Sequence, residues 1–164
     1  MVITSVPVTV NFYNAKILEF IEFLDESIIS EYCHSVMSSP EGVKNALGTV
    51  FQSNTLVRSL TVLEYFTNVT VLVSGALYPV SNLLYLVFPP NVRNIQWNSI
   101  RYCQKLVYIK ILSDMLVELN GSNGMAYTNN CPIYVADDLV DSYKSHQYWK
   151  QYASRFKPMS TFPY

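Results

Sequence analysis

The sequence predicts an α+β fold: a stack of short, repeated strands closed by a helical C-terminal cap and preceded by an atypical N-terminal strand and helix. The first observation is that the segment Leu83–Phe88 recurs as Leu106–Ile111, with apolar residues at the first, fourth and sixth positions of each. The second is an acidic and aromatic C-terminal tail. The third is that roughly the first third of the chain does not share the repeat.

The repeat predicts four short strands. The pattern of Leu83–Phe88 also stands one period earlier as Leu60–Tyr65, and the last strand, Ile133–Val135, follows Ile109–Ile111 at a spacing one position longer than the period. A fixed period in the twenties, written L-x-x-L-x-apolar, is typical of leucine-rich repeats. One such unit cannot bury its apolar side alone, so each needs a neighbour above and below. We expect side-chain amides beside the strands to bind turning backbone. They are Asn82, Asn94, Gln96, Asn98 and Gln104.

Composition narrows the class of protein. The chain has 164 residues, of which 50% are hydrophobic and 14% charged, and it carries thirteen tyrosines and a formal net charge of -1. This composition is too apolar for a disordered chain and offers no basic face for nucleic acid. No uninterrupted apolar run reaches membrane-spanning length, and the N-terminus does not resemble a secretory signal. We therefore expect no membrane insertion and no nucleic-acid partner.

Two regions are predicted from these patterns. Residues 1–57 form an N-terminal attachment or oligomerisation segment, and residues 58–164 form the repeat domain with its cap. The three cysteines have no close spacing, which favours reduced, buried thiols over a disulfide framework.

Residues 2–13 are predicted to form a strand with one apolar face. Pro7 favours an edge position, because an edge strand tolerates a missing backbone donor. A second subunit could cover this strand, or it could pair inside its own domain; both remain open. The residues that would form the contact are Val6, Val8, Val10 and Phe12.

Residues 40–52 are predicted to form a helix. Ser38 and Glu41 have capping-box spacing, and Pro40 suits a first helical turn. One apolar stripe follows, and because a repeat core does not require it, we interpret this helix as a cap or a docking element. Its candidate interaction residues are Val43, Leu47, Val50 and Phe51. Between the two elements, Ile17–Phe23 has the spacing of a first repeat strand.

The tail is predicted to close the stack. Asp137 or Asp138 would cap a helix that includes Tyr143, and a second aromatic turn would end at Pro158. The aromatic residues could form a sugar-binding platform, but we favour their packing as a lid over the last repeat. They are Tyr143, Trp149, Tyr152 and Phe156.

The same tail resembles a known family. It reads C-P-I-Y-V-A-D-D-L-V-D-S-Y-K from Cys131 to Lys144, continues through Trp149 and Tyr152, and ends F-K-P-M-S at Ser160. This is similar to the C-terminal cap of BspA-type leucine-rich repeat proteins, with Ala136 where proline is usual and Phe156 where isoleucine is usual. The resemblance covers about residues 58–160. It places Cys103 and Cys131 at the family's structural cysteine position.

The resemblance carries functional expectations. Such domains are abundant in surface proteins of gut Bacteroidales, where they resemble adhesins, and occur on virion appendages of tailed, crAss-like phages of those bacteria. We expect a non-enzymatic virion surface component, such as a head or tail fibre subunit. It would form a trimer or dimer and attach to other virion proteins through residues 1–57. The alternative is a bacterial surface adhesin that binds a glycan or host protein.

Catalytic and cofactor motifs give little support to an enzyme. Cys33 and His34 alone cannot supply the three or four ligands of a zinc site, and His146 is distant in sequence. The acidic residues from Glu19 to Glu26 are interpreted as a solvated face. The sequence therefore predicts no catalytic residue, metal or cofactor.

Overall fold

Two parallel β-sheets organise the described part of the chain. The computed structural model describes residues 51–55, 57–65 and 69–163. This part is a mixed α/β structure with few helices, which agrees with the predicted α+β class. The larger sheet has the order β1 (Ser59–Leu60), β3 (Tyr85–Phe88), β5 (Tyr108–Ile111), β7 (Ile133–Val135) and β8 (Phe156–Pro158). The smaller sheet has the order β2 (Val71–Leu72), β4 (Asn94–Ile95) and β6 (Glu118–Leu119).

Strand register follows the period of the sequence. Leu86 of β3 lies opposite Ile109 of β5, its counterpart in the next repeat, and Leu72 of β2 lies opposite Ile95 of β4 at the same spacing. Ile109 then pairs with Ile133, as predicted. Successive strands from β1 to β7 alternate between the sheets, so the chain passes through both sheets once per period.

The prediction for the first unit was wrong in register and extent. Leu60 lies opposite Leu86, although the repeat pattern had aligned Leu63 with that residue, and only Ser59–Leu60 is strand. Thr61–Tyr65 is a 3-10 helix. Leu60 at the end of the strand and Leu63 in the helix that follows are both buried, without a continuous strand between them.

The core lies between the sheets. In β5 the buried side chains Ile109 and Ile111 alternate with the half-buried Tyr108 and Lys110, as expected for a strand with one face on a core. Each buried leucine or isoleucine contributes roughly 1.5–3 kcal/mol relative to exposure. Corresponding core residues of the other strands in the larger sheet are Leu60, Leu86, Phe88, Ile133, Val135 and Phe156.

Polar side chains hold successive turns of the chain together. The Asn82 side-chain amide donates to the carbonyl of Thr55 at 2.6 Å, and the Gln96 side-chain oxygen accepts from the backbone N–H of Ser74 at 3.0 Å. These bonds confirm the prediction for Asn82 and Gln96, whereas the Asn98 side chain binds the Arg101 side chain instead. Asn94 and Asn120 pair through their own amides, at 3.3 and 3.2 Å.

Between β7 and β8 the C-terminal cap stands where the repeat would otherwise add a further strand to the smaller sheet. After β7 the chain forms a 3-10 helix (Asp137–Leu139), helix α1 (Val140–Ser145) and a second 3-10 helix (Trp149–Arg155). It then returns as β8, where Phe156 lies opposite Ile133 at the spacing of the repeat. The prediction that a helical turn continues to Pro158 was therefore wrong, because Phe156–Pro158 adds a strand to the larger sheet.

The predicted acidic helix cap was also wrong. Neither Asp137 nor Asp138 makes a side-chain capping bond to the helices that follow. Instead the Asp137 carboxylate accepts the backbone N–H of Ser160 at 3.0 Å, which ties the final residues to the start of the cap. Hydrogen bonding to the Ser160 side chain, and next to this backbone N–H, lowers the pKa of Asp137.

Most of the predicted N-terminal segment lies outside the described residues. This holds for the strand over residues 2–13, for Ile17–Phe23 and for the helix over residues 40–52 up to residue 50. The candidate interaction residues among them are Val6, Val8, Val10, Phe12, Val43, Leu47 and Val50. Phe51 is described, in a turn, and is fully buried in the same core as Leu60.

Candidate interaction surfaces

An aromatic cluster covers the outer face of the larger sheet. Side chains alternate along each strand, so Tyr108 and Lys110 of β5 point away from the core between the buried isoleucines. Tyr85 lies opposite Tyr108, and Tyr134 lies opposite Lys110. We call these four residues, with Phe162 from the C-terminal tail, the sheet-face cluster.

Phe162 is held by three members of this cluster. Its ring packs edge-on against Tyr108 and Tyr134, with centroids 4.9 Å apart in both pairs. The ammonium of Lys110 lies 4.5 Å from the centre of the Phe162 ring, a cation–π contact. Tyr85 and Tyr108 are 5.2 Å apart and extend the aromatic surface across β3. The cluster thus combines four aromatic rings with one cation on the outer face of the larger sheet.

A second aromatic surface follows the turns after the smaller sheet. Tyr78 and Tyr102 lie 5.8 Å apart, and Tyr102 stacks on Tyr127 at 4.7 Å with ring planes only 6° apart. This spacing is close to that of neighbouring strands, so the stacking of turns brings the rings into contact. We call these three residues the tyrosine ladder. Tyr127, at its end, is 59% exposed.

The backbone of the tyrosine ladder is unusual. Tyr102 has φ 63° and Tyr127 has φ 57°, in the left-handed region that bulky residues rarely adopt. Such a conformation costs on the order of 1–3 kcal/mol and persists only where the surroundings enforce it. Here the backbone N–H of Tyr102 donates to the carbonyl of Ala126 at 3.1 Å, which ties the two turns together.

Arg101 lies beside the two stacked rings. Its guanidinium carbon is 4.8 Å from the Tyr102 ring centre and 5.0 Å from that of Tyr127. Its hydrogen bonds, to the Asn98 side chain and the Tyr102 hydroxyl, are both long at 3.4 Å. The Nε atom of Arg101 is buried and has no hydrogen-bond partner among the described residues.

The aromatic residues of the cap form a lid, as the favoured interpretation predicted. Tyr143, Trp149 and Phe156 are at most 2% exposed and pack on one another, with centroids 5.0–5.7 Å apart. Tyr152 is half-buried and packs edge-on against Trp149. The three buried faces are not accessible, so these residues do not form a sugar-binding platform.

Two side chains of the lid bind the backbone beside the edge strand of the smaller sheet. The N–H of Val117, just before β6, donates to the Tyr143 hydroxyl at 3.1 Å. The Trp149 indole donates to the carbonyl of the same residue at 2.7 Å. Burial raises the pKa of Tyr143 to about 12, so the phenol stays protonated. The lid therefore supplies the hydrogen bonds that a further strand would have made.

The described thiols are structural. Cys103 and Cys131 are free and buried, which confirms that prediction for both; Cys33 lies outside the described residues. The Cys103 thiol donates to the Leu77 carbonyl at 3.3 Å, and burial raises its pKa to about 11. Burial also raises the pKa of Cys131, although the adjacent Arg155 opposes the change.

Arg155 is a buried cation fixed by neutral groups. It is 5% exposed, and its Nε donates to the Cys131 carbonyl at 2.8 Å while Nη1 donates to the Thr128 hydroxyl at 3.0 Å. Tyr152 provides a ring 5.4 Å from the guanidinium carbon. This arrangement links the end of the second 3-10 helix to the segment before β7, so we assign Arg155 a structural role.

The structure describes only some of the residues that the sequence offered as metal ligands or catalytic groups. Among the described residues, no group of three or more histidine, cysteine or acidic side chains is arranged to hold a metal ion. His146 pairs with Glu118 at 3.1 Å, which fastens the cap to β6. Cys33, His34 and the acidic run from Glu19 to Glu26 lie outside the described residues. In the part of the chain that is described, no helix is long and apolar enough to cross a membrane.

Comparison with known proteins gave no match: no family model, no curated protein and no solved structure is significantly similar to this chain. The surfaces must therefore be interpreted from their own chemistry. Sequence reasoning missed the tyrosine ladder, although Tyr78, Tyr102 and Tyr127 recur at close to the period of the apolar residues. That recurrence is the signal that could have identified it.

Proposed function

We propose that this protein is a non-enzymatic interaction protein built on a short BspA-type leucine-rich repeat stack. The observation that carries the proposal is the agreement between the apolar period of the sequence and the strand register in both sheets. The capping role of Tyr143 and Trp149, two residues of the motif that resembles this family, adds support.

In this proposal the sheet-face cluster is the recognition surface. Its outward tyrosines provide flat apolar area beside the cation of Lys110, and tyrosines are enriched among the residues that contribute most of the binding energy at protein interfaces. Phe162 already packs edge-on against two of these rings, which illustrates how an aromatic group of a partner would bind.

The proposed setting is the surface of a phage virion, as a head or tail fibre subunit of a phage infecting gut Bacteroidales. Residues 1–57 would attach the protein to other virion proteins and join it into a trimer or dimer. The setting rests on the family resemblance of the tail. The alternative setting, a bacterial surface adhesin that binds a glycan or host protein, uses the same recognition surface and differs in its export route.

Two measurements test the setting. Light scattering after size-exclusion chromatography should give the mass of a dimer or trimer. Immunogold electron microscopy of released particles should place the protein on virions, with antibody pre-absorbed on the purified protein as control. Label confined to the bacterial surface would instead support the adhesin. A monomer that binds neither particles nor cells would refute both.

Variants test the recognition surface separately. Tyr134→Ala and Lys110→Ala should each weaken binding to host cells about tenfold, since each removes a contact worth about 1.4 kcal/mol. Met115→Ala is the matched control, because Met115 is 56% exposed and is not part of the cluster. Equal binding by all three variants would show that the sheet face is not the surface used.

A further inference from the structure

We propose that the tyrosine ladder and Arg101 form a binding site for an acidic glycan, in which a sugar ring stacks on Tyr127 and its carboxylate pairs with Arg101. This inference rests on the proposed role in recognition and adds a ligand class and a second surface to it. The larger sheet is not involved, because the ladder lies on the turns that follow the smaller sheet.

The first argument is the orientation of an exposed ring. Tyr127 is 59% exposed, yet it is fixed by a near-parallel stack on Tyr102 at 4.7 Å. An exposed tyrosine in a turn would ordinarily move between rotamers. Here the stack presents a flat apolar face to solvent with little conformational entropy left to lose on binding, which favours ligands with a flat apolar face of their own. The C–H face of a pyranose ring is such a ligand.

The second argument is the backbone that carries the rings. Tyr102 and Tyr127 both occupy the left-handed region, at φ 63° and 57°. Of the other described left-handed positions, Gly75, Asn98 and Gly121 carry residue types that adopt this conformation readily, and the fourth carries the small residue Ser53. If packing alone determined the residue type at these two positions, we would not expect tyrosine in this unfavourable conformation on consecutive turns. Residues in strained conformations are found preferentially at binding sites.

The third argument is the state of Arg101. The described ion pairs give it no carboxylate partner, and its hydrogen bonds to Asn98 and Tyr102 are long. The guanidinium carbon lies 4.8 and 5.0 Å from the centres of the two stacked rings, so a sugar on Tyr127 would bring its substituents close to this cation. A planar guanidinium binds a carboxylate through two parallel hydrogen bonds.

The charge balance selects a sugar acid over the alternatives. One arginine beside neutral rings matches one carboxylate on a sugar ring. A nucleic acid would require several cations along its backbone, and the chain as a whole carries a net charge of -1. A neutral glycan would stack on Tyr127 but would leave Arg101 without an anion. The site is therefore expected to prefer an acidic sugar over its neutral counterpart.

Calorimetric titration of the full-length protein tests this. The probes are tetragalacturonate, tetramannuronate and sialyllactose, each compared with its methyl ester, which keeps the ring and removes the charge. We expect at least one acid to bind about tenfold more tightly than its ester, with an affinity that falls as salt is raised. Binding to none of the three acids, or equal binding of every acid and its ester, would overturn the proposal.

Variants identify the site. Arg101→Gln should remove the preference for the acid over the ester. Tyr127→Ala should weaken both about tenfold, whereas Tyr127→Phe should retain binding. Met115→Ala serves as the control, and circular dichroism verifies that each variant is folded. Unchanged binding by both Arg101→Gln and Tyr127→Ala would place any glycan elsewhere and refute the site. Self-association that Tyr127→Ala abolishes, without any glycan binding, would likewise overturn it in favour of a second copy of the chain.

These outcomes are separate from the tests of the proposed function. Virion labelling and oligomeric mass do not depend on glycan affinity. A protein located on virions that binds no acidic glycan would thus refute only this inference.

Discussion

Tyr143→Phe is the sharpest test of how the C-terminal cap stabilises the protein. The substitution removes one oxygen atom and leaves the ring that packs against Trp149 and Phe156. That oxygen accepts the backbone N–H of Val117 at 3.1 Å, and both residues have 0% exposure. The variant therefore leaves a buried backbone donor without its partner.

The size of the effect follows from burial. An unsatisfied buried donor costs about 1–3 kcal/mol, while an exposed hydrogen bond lost to water would cost much less. Taking about 2 kcal/mol, the midpoint of thermal unfolding should fall by about 4–8 °C for a domain of this size. This is a large share of the roughly 5–15 kcal/mol that holds a typical domain folded.

Urea unfolding monitored by circular dichroism measures the change in the free energy of unfolding. Tyr134→Phe is the matched control, because it deletes the same atom from a half-buried ring on the sheet-face cluster. We expect the control to lie within about 0.5 kcal/mol of the natural protein. If both variants unfold at the same urea concentration, the cap does not stabilise the sheet edge through this bond.

Three further predictions concern packing and pH. Gly124→Ala should lower the free energy of unfolding in urea by about 1–3 kcal/mol, because the new Cβ would overlap a methyl group of the buried Leu119. Unchanged stability would mean that the Leu119 side chain moves aside freely. The pKa of Asp137 is lowered from 3.8 by its bonds to Ser160, so the stability it contributes is complete above that pH and is lost as the pH falls through the folded pKa. Asp137→Asn should therefore show a shallower acid-induced loss, and parallel curves would contradict the assignment. Because burial raises the pKa of Tyr143 from 10.0 to about 12, the unfolded phenol ionises first and stability falls as the pH rises from about 10 to about 12. In urea unfolding over that range Tyr143→Phe should lose less stability than the natural protein, and equal slopes would refute this.

The strands with strong alternation could be predicted from sequence. Leu86 and Ile109 were correctly placed opposite each other because apolar residues at a constant interval must stack to share one core. The first unit was misplaced because L-x-x-L spacing is satisfied equally by a strand start and by a 3-10 turn, so Leu63 is buried without pairing.

The smaller sheet was not predicted for a different reason. Its strands have two residues each, which is too short for any alternation to appear in the sequence. The strand Phe156–Pro158 was missed because Phe156 is its only fully buried residue, and an aromatic residue near Trp149 equally fits a helical turn.

Residue types and their spacing along the chain were sufficient to predict the α+β class, the repeat interval, a cap over the last repeat, and free, buried thiols at Cys103 and Cys131. The contacts that bury some aromatic side chains and leave others at the surface form only in the folded protein. Tyr143 and Trp149 are buried because they bind the backbone at the edge of the smaller sheet. Tyr102 and Tyr127 are stacked because successive turns lie one ring spacing apart. Both kinds of contact join residues of different turns, so the spacing of residues within one turn does not specify them.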